Sequence, residues 1–278
     1  TDGTLWSWGS DEAGATAQNT TLPGYSSPTQ VGTGTDWDIS DSKSSVNNSA
    51  AAIKTDGTLW MWGFNFNGNV GDNSQVYKSS PVQVGTGTDW STVSCGTQST
   101  WAVKTDGTAW GWGRNEYGEL GLNTVGNPAG GPVNTGWSSP TQIGTDTNWT
   151  TLTSGYGSCI GTKTDGTLWA WGWDQHGQLA LGPAHSGADP IKLSSPNQIG
   201  TDTTWSTTLG TVASTQYGVV AIKSDGTLWS WGFNTWGQLG QNTSGEEIKY
   251  SSPKQVGTDT KWTKLYGSYG GITALQSL

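Results

Sequence analysis

At 278 residues the chain can bury a core of its own, but 43 glycines, 10 prolines and only 12% charged side chains leave no room for long helices. Nineteen tryptophans and regular strand signals set it apart from disordered chains of similarly low charge. The net charge is −9, and one arginine and 11 lysines are scattered singly. Nucleic acid demands clustered positive charge, as does an anionic membrane surface, so neither is an expected partner. No apolar run reaches 18 residues, and no membrane insertion is expected.

In chain order the organising motif is Thr-Asp-Gly-Thr-Leu-Trp-Met-Trp-Gly at 55–63. It occurs five times, with its aspartate at Asp2, Asp56, Asp106, Asp165 and Asp225, a spacing of 50 to 60 residues that marks a repeat array. Asp-Gly between two apolar runs predicts a hairpin, because the tight turn needs positive φ at its centre. In the strand that follows, residues two apart share a face, so Trp60 and Trp62 point one way and Leu59 and Met61 the other. Burying one indole covers about 150–250 Å², roughly 4–6 kcal/mol of gross transfer energy as an upper bound. The expected place of the ten repeated rings is between adjacent sheets.

The third copy shows the whole unit. Strands are predicted over 90–96, 99–104 and 109–113, with the Asp106-Gly107 hairpin between the second and third. A loop over 114–121 and a variable stretch follow. A fourth strand covers 138–144, where Pro140 suits an edge. Four short strands per unit predict an all-β fold, a β-propeller of four-stranded blades forming one domain over 1–278. The chain opens directly on a hairpin at Asp2, and residues 262–276 align with 205–223. N- and C-terminal strands are therefore expected to close a five-repeat ring; a stretch of a larger ring or an open array is the alternative. Cys95 and Cys159 occupy non-equivalent places in their repeats and read as two buried thiols rather than a disulfide.

Val-Ser-Cys-Gly at 93–96, Trp-Ala-Val-Lys-Thr-Asp-Gly at 101–107 and Trp-Gly-Arg-Asn-Glu-Tyr-Gly-Glu-Leu-Gly at 112–121 resemble the repeat of the regulator of chromosome condensation family. Residues 231–240 fit equally well, and the resemblance covers all 278 residues. It implies a β-propeller of about 50 residues per blade, usually with seven blades, from which five copies depart. The roles it implies are diverse. They include exchange factors for a nuclear-transport GTPase, a plant ultraviolet photoreceptor built on tryptophans packed against arginines, and secreted inhibitors of β-lactamase. Trp-, Gly- and Thr-rich repeats are also the style of phage and bacterial surface proteins. No basic tail or exchange wedge matches here, and one arginine does not support the photoreceptor's charge-paired dimer.

Positions that differ between copies are where an asymmetric partner would be read. Directly after Trp-Gly stand Ser10, Phe64, Arg114, Trp173 and Phe233; just before the loop glycine stand Ala13, Asn67, Tyr117, His176 and Trp236. Flat apolar faces with polar edges suit sugar stacking or a protein hot spot, whereas the bland alternative is that these rings cap blade interfaces. The long loops over 123–137 and 182–193 add Trp137, a tryptophan outside every repeated column. The candidate binding residues are thus Phe64, Asn67, Arg114, Tyr117, Trp137, Trp173, His176 and Trp236. Catalysis finds less support. His176 and His185 lack companions at metal-ligand spacing, no strained Gly-x-Ser-x-Gly elbow occurs, and Glu246 and Glu247 are adjacent rather than facing. The reading is a non-catalytic binding or structural propeller without cofactor or metal, extracellular or on a virion surface. It would recognise a protein, a surface glycan or other virion or surface subunits. An exchange-type regulator and a secreted enzyme inhibitor are the alternatives.

Overall fold

The computed structural model describes residues 2–20, 24–38, 40, 44–46, 49–126, 136–182, 191–245, 248–268 and 270–278. Two compact units emerge from the contacts: Thr1–Glu116 with Gly126–Thr147, and Tyr117–Val125 with Asn148–Leu278. In the first unit β1 (Trp6–Ser10) pairs with β2 (Gly24–Gln30) as a two-stranded sheet. Two four-stranded antiparallel meanders accompany it: β3 (Ser44–Val46), β4 (Ser49–Ile53), β5 (Leu59–Gly63) and β6 (Lys78–Gln83), then β7 (Trp90–Cys95), β8 (Ser99–Lys104), β9 (Ala109–Gly113) and β10 (Trp137–Gln142). The second unit repeats this plan. Its meanders are β11 (Trp149–Ser154), β12 (Ser158–Lys163), β13 (Leu168–Trp173) and β14 (Lys192–Gln198), then β15 (Val212–Ser214), β16 (Gly218–Ile222), β17 (Leu228–Phe233) and β18 (Lys249–Gln255); β19 (Trp262–Gly267) and β20 (Ile272–Gln276) form a two-stranded sheet. These are propeller blades, and the fold is all-β apart from a single 3-10 turn at Glu12–Gly14 among the described residues. The two short sheets are complementary in kind: β19 and β20 hold the first two strand positions of a blade, β1 and β2 the last two.

The Asp-Gly hairpin is more than a turn. Asp56 Oδ1 accepts from the Thr58 amide at 3.0 Å and hydroxyl at 2.7 Å, and that hydroxyl accepts from Trp60 Nε1 at 2.9 Å. The same relay joins Asp106, Thr108 and Trp110, then Asp165, Thr167 and Trp169, then Asp225, Thr227 and Trp229. Hydrogen bonds to the ionised form hold each aspartate below the usual carboxylate range, the Thr hydroxyl being the main cause. Gly57 is obligatory on two counts: its φ is 79°, and a Cβ there would stand 2.1 Å from the Thr88 carbonyl oxygen.

The two tryptophans of each Trp-x-Trp pair share a strand face but do different jobs. The second is buried to the last atom in Trp112, Trp171 and Trp231. Its indole N–H donates to a loop carbonyl of the preceding repeat: Trp112 to Asn69 at 3.0 Å, Trp171 to Glu119 at 2.8 Å, Trp231 to Gln178 at 2.9 Å. Trp62 does the same to Ala15 at 3.0 Å. This is the inter-repeat latch.

The first tryptophan closes a cation–π clasp. Lys104 Nζ lies 5.0 Å from the Trp90 ring centre and 4.7 Å from that of Trp110, and pairs with Asp89 at 3.2 Å. Lys54 sits likewise between Trp37 and Trp60, Lys163 between Trp149 and Trp169, and Lys223 between Trp205 and Trp229. The partner carboxylate changes place along the chain. Gly34-Thr35-Asp36 and Gly87-Thr88-Asp89 supply it from their third residue, whereas Asp202-Thr203-Thr204 supplies it from its first, to Lys223. In the second pattern the glycine has become the acid and the acid has become a neutral residue, so the ion pair survives. The last repeat keeps the geometry without the cation: Gln276 stands opposite Trp262 and donates to Asp259 at 3.0 Å.

Each fourth strand carries its proline beside a register shift, as between Trp137 and Thr141 or opposite Ala170 and Gly172, where an absent N–H leaves no ladder bond broken. Cys95 and Cys159 are buried thiols rather than a disulfide, and burial pushes the Cys159 thiol well above its ordinary range.

Candidate functional site

The loop after each Trp-Gly is built on a buried amide or carboxylate. Asn65 Oδ1 accepts from the Val70 amide at 2.9 Å, Asp174 Oδ1 from Leu179 at 2.8 Å, and Asn234 Oδ1 from Leu239 at 3.0 Å. A second buried side chain fixes the variable position itself. Glu119 Oε2 accepts from the Tyr117 amide at 2.7 Å, Gln178 Oε1 from His176 at 2.8 Å, and Gln238 Oε1 from Trp236 at 2.9 Å. In the second repeat Asn69 bonds instead to the Phe64 carbonyl at 2.6 Å. The backbone of the loop is thereby held constant while its outward side chain changes from repeat to repeat.

In the second unit these side chains meet. Tyr117 stacks on Trp173, ring centres 4.8 Å apart and planes 12° from parallel. Trp173 continues to Tyr156 and Tyr217, each at 6.1 Å, and to His176 at 6.1 Å. Tyr217 packs on Tyr156 at 5.4 Å and on His176 at 4.4 Å, and His176 on Phe233 at 4.6 Å. Six rings thus form one unbroken, half-buried cluster. Burial first, and the Lys249 charge second, hold the His176 pKa below its ordinary value, so the imidazole is neutral at pH 7. Lys192 Nζ stands 5.0 Å from the Tyr117 ring centre. Three candidates, Tyr117, Trp173 and His176, are therefore neighbours.

The other candidates are elsewhere. Trp236 is 56% exposed. In the first unit Phe64 packs on Tyr77 at 5.0 Å and on Phe66 at 6.3 Å, with Phe66 and Tyr77 about half exposed. Arg114 forms an ion pair with Glu116. Asn67 is buried, and its carbonyl lies where a Cβ on Gly136 would be, so its side chain offers a partner little. Trp137 begins β10 instead of lying in the loop that precedes it, and it packs on the core around Trp90, Val93 and Trp112. The remainder of that loop over 127–135, the residues 183–190 that include His185, and Glu246 and Glu247 lie outside the described residues.

Tyr156 and Tyr217 were not among the candidates, nor was Phe233, although it stands in the Trp173 column. The two tyrosines occupy the turn between first and second strands, closed by Gly155 N–H to Ser158 O and by Thr215 N–H to Gly218 O, both 2.8 Å. A signal existed: Thr97-Gln98, Tyr156-Gly157 and Gln216-Tyr217 fill that turn differently. Chemically the cluster offers flat π faces, phenol hydroxyls, a neutral imidazole and nearby ammonium groups, which is equipment for binding. Among the described residues no group of three or more His, Cys, Asp or Glu could hold a metal ion.

Family models for the regulator of chromosome condensation (RCC1) repeat match residues 56–103, 106–160, 165–205 and 225–271, more than half of the chain, and a second model of the repeat matches 90–119. The ultraviolet-B receptor UVR8 of Arabidopsis thaliana is 28% identical over 228 residues, covering 74% of this chain and 43% of the receptor. The chain thus spans less than half the length of that curated relative. Human WBSCR16 has a similar fold, with a TM-score of 0.78 at 18% identity over 99% of this chain and 68% of that one. Yeast RCC1 (Prp20), solved bound to Kap60, gives a TM-score of 0.75 at 17% identity over 99% of this chain and 64% of that one. Repeat by repeat, from the Asp-Gly hairpin to the Trp-Gly loop, the chain belongs to the regulator of chromosome condensation family of β-propellers.

Proposed function

We propose that this chain is a non-catalytic recognition propeller, acting outside a cell or on a virion surface and binding a partner protein or a surface glycan through the aromatic cluster of its second unit. The observation that carries the proposal is the single cluster of Tyr117, Tyr156, Trp173, His176, Tyr217 and Phe233. Four repeat-specific positions converge there on loops whose backbones are fixed by buried side chains, and rigid aromatic groups with polar edges are the usual anchors of recognition. Acidic net charge and the richness in Thr, Ser, Gly and Trp support an external setting.

The test is a pull-down from host envelope material together with a glycan array, using the intact chain and Tyr217→Ala. Capture that falls at least tenfold in the variant is expected. Capture unchanged by Tyr217→Ala and by Trp173→Ala would place recognition elsewhere. An exchange-type regulator is the competing reading; accelerated nucleotide release from a small GTPase on adding the chain would establish it and displace the adhesion role.

A further inference from the structure

We propose that the hairpin end of the second unit carries a separate, weak binding cleft for a neutral saccharide. This site goes beyond the recognition reading above and does not depend on it. In a four-stranded antiparallel meander, the turn between second and third strands lies at the opposite end from the other two turns. Asp165-Gly166 therefore stands at one end of its blade, with Tyr156, Trp173 and His176 at the other. Beside that hairpin opens a cleft of about 390 Å³, within the ~300–1,000 Å³ of small-molecule sites.

An insertion builds one wall of the cleft. Val93, Leu152 and Val212 are equivalent, each paired with the residue two before a clasp lysine. Two residues, 91–92, separate Trp90 from Val93, and two, 150–151, separate Trp149 from Leu152, whereas six, 206–211, separate Trp205 from Val212. A stretch of the same length follows Trp37, where 39 and 41–43 lie outside the described residues. The loop over 206–211 is fixed in place. Thr211 Oγ1 donates to the Thr208 carbonyl at 2.7 Å, and the Leu265 amide donates to the Gly210 carbonyl at 2.7 Å. Thr207 and Thr208 are left exposed on it.

Thr164, Asp165, Thr203 and Ser224 line the cleft with them. No hydrogen bond among the described residues engages the hydroxyls of these four threonines or of Ser224. Asp165 spends Oδ1 on the Thr167 amide and hydroxyl, and Oδ2 has no hydrogen-bond partner among the described residues. The Thr167 hydroxyl above all holds the Asp165 pKa below the usual carboxylate range, so the group is ionised at neutral pH. No lysine or arginine lines the cleft, and Lys163 and Lys223 nearby are held in their tryptophan clasps.

Hydroxyls that both donate and accept, ranged around one ionised acceptor, match a polyhydroxylated ring. The carboxylate suits two adjacent sugar hydroxyls, and the threonines suit the remaining ring oxygens and hydroxyls. The same negative charge, with no cation to offset it, rejects sialylated and sulfated sugars. Trp205 is the one aromatic residue of the lining and is 3% exposed, so no open ring face is offered for stacking. Each hydrogen bond to the sugar replaces one to water, and the net gain is small. Affinity is therefore millimolar, too weak for a washed array to retain.

The experiment is saturation-transfer NMR on the whole chain with free methyl glucoside, methyl galactoside, methyl mannoside, N-acetylglucosamine, sialic acid and glucose 6-sulfate. A response is expected from at least one neutral sugar and from neither acidic one. Asp165→Asn, which keeps an oxygen for Thr167, should weaken binding about tenfold, as should the double variant Thr207→Val/Thr208→Val. Asp56→Asn alters an equivalent hairpin that receives the Trp90 amide as Asp165-Gly166 receives that of Trp205, but without the insertion; binding should survive it, and Trp173→Ala too. Binding undiminished in Asp165→Asn and in the threonine variant, or equal binding of acidic sugars, would overturn the site. Equal losses in Asp56→Asn and Asp165→Asn would overturn it as well, by tracing the effect to hairpin loosening. A response lost in Trp173→Ala but kept in Asp165→Asn would remove this site while upholding recognition by the cluster. No response from any sugar would remove the site and leave the recognition reading to its own pull-down.

Discussion

Phe64, Phe66 and Tyr77 in the first unit and the six-ring cluster of the second unit grow from the same loop scaffold, yet they end differently. The first group is small and half exposed, and its nearby lysine is neutralised by Asp72. The second is continuous and half buried, and the Lys249 charge acts on its His176. Beneath both lie the same buried acceptors, Asn65 on one side and Asp174 and Asn234 on the other, making the same bond to the same loop amide. A propeller of this kind separates its duties: the hairpin relay, latch and clasp maintain the blade, and a few outward positions per repeat carry whatever distinguishes one face of the molecule from another.

The largest expected effect tests whether the scaffold really is common. Trp112→Ala and Trp231→Ala, one in each unit, should each cost about 3–5 kcal/mol in urea unfolding followed by fluorescence, since each empties a fully buried indole site and strands a loop carbonyl. A negligible loss in either would mean that the latch does not serve both units alike. The next contrast concerns the outward rings. Tyr217→Ala, which removes contacts to three aromatic neighbours and the His176 ring, should cost about 1–2 kcal/mol. Phe66→Ala should stay within about 0.5 kcal/mol, as exposed substitutions usually do. Equal costs would erase the distinction between an organised cluster and a surface group.

The clasp offers a smaller test. Asp89→Thr alone should destabilise by about 0.5–1 kcal/mol, the worth of a part-exposed ion pair. Adding Gly87→Asp, which reproduces the arrangement at Asp202 and Thr204, should restore most of that loss. A double variant no better than the single one would show that the carboxylate cannot change places.

The smallest effect is in acid. Asp202, held down to about 2 mainly by its bond to Lys223, contributes stability above pH 4 that is lost as pH falls toward 2; the hairpin aspartates of both units act in the same direction. His176 differs. Its folded pKa lies below the ordinary value of about 6.5, so the unfolded chain takes the proton first and stability begins to fall below that pH. Titrating stability from pH 7 to 5 should show this early decline in the native chain and a reduced decline in His176→Phe. Identical curves would separate the imidazole from the packing of the cluster.

Much of this was legible in the residues themselves. Five Asp-Gly turns and Trp-x-Trp pairs set the register, and the strands of the third copy fall within a residue or two of expectation because turn chemistry and period-two burial agree there. The clasp was hidden: lysines read one at a time look scattered, and only the pairing of Trp90 with Lys104 and of Trp149 with Lys163 shows that each is enclosed by two indoles. Trp137 misled because it follows a long insertion with no repeated marker before β10, and burial against Val93 and Trp112 rather than exposure accounts for it. Tyr156 and Tyr217 escaped because one is the second and the other the third residue of its turn, so a fixed column splits them although their rings touch.

The most direct measurement of the central claim is a side-by-side binding titration with a peptide or glycan recovered on the native chain, comparing the double variants Trp173→Ala/Tyr217→Ala and Phe64→Ala/Phe66→Ala. Loss of at least tenfold in affinity for the first and less than twofold for the second is predicted, with both proteins keeping the cooperative unfolding of the native chain. The reverse order, or equal losses, would contradict the assignment of recognition to the second unit.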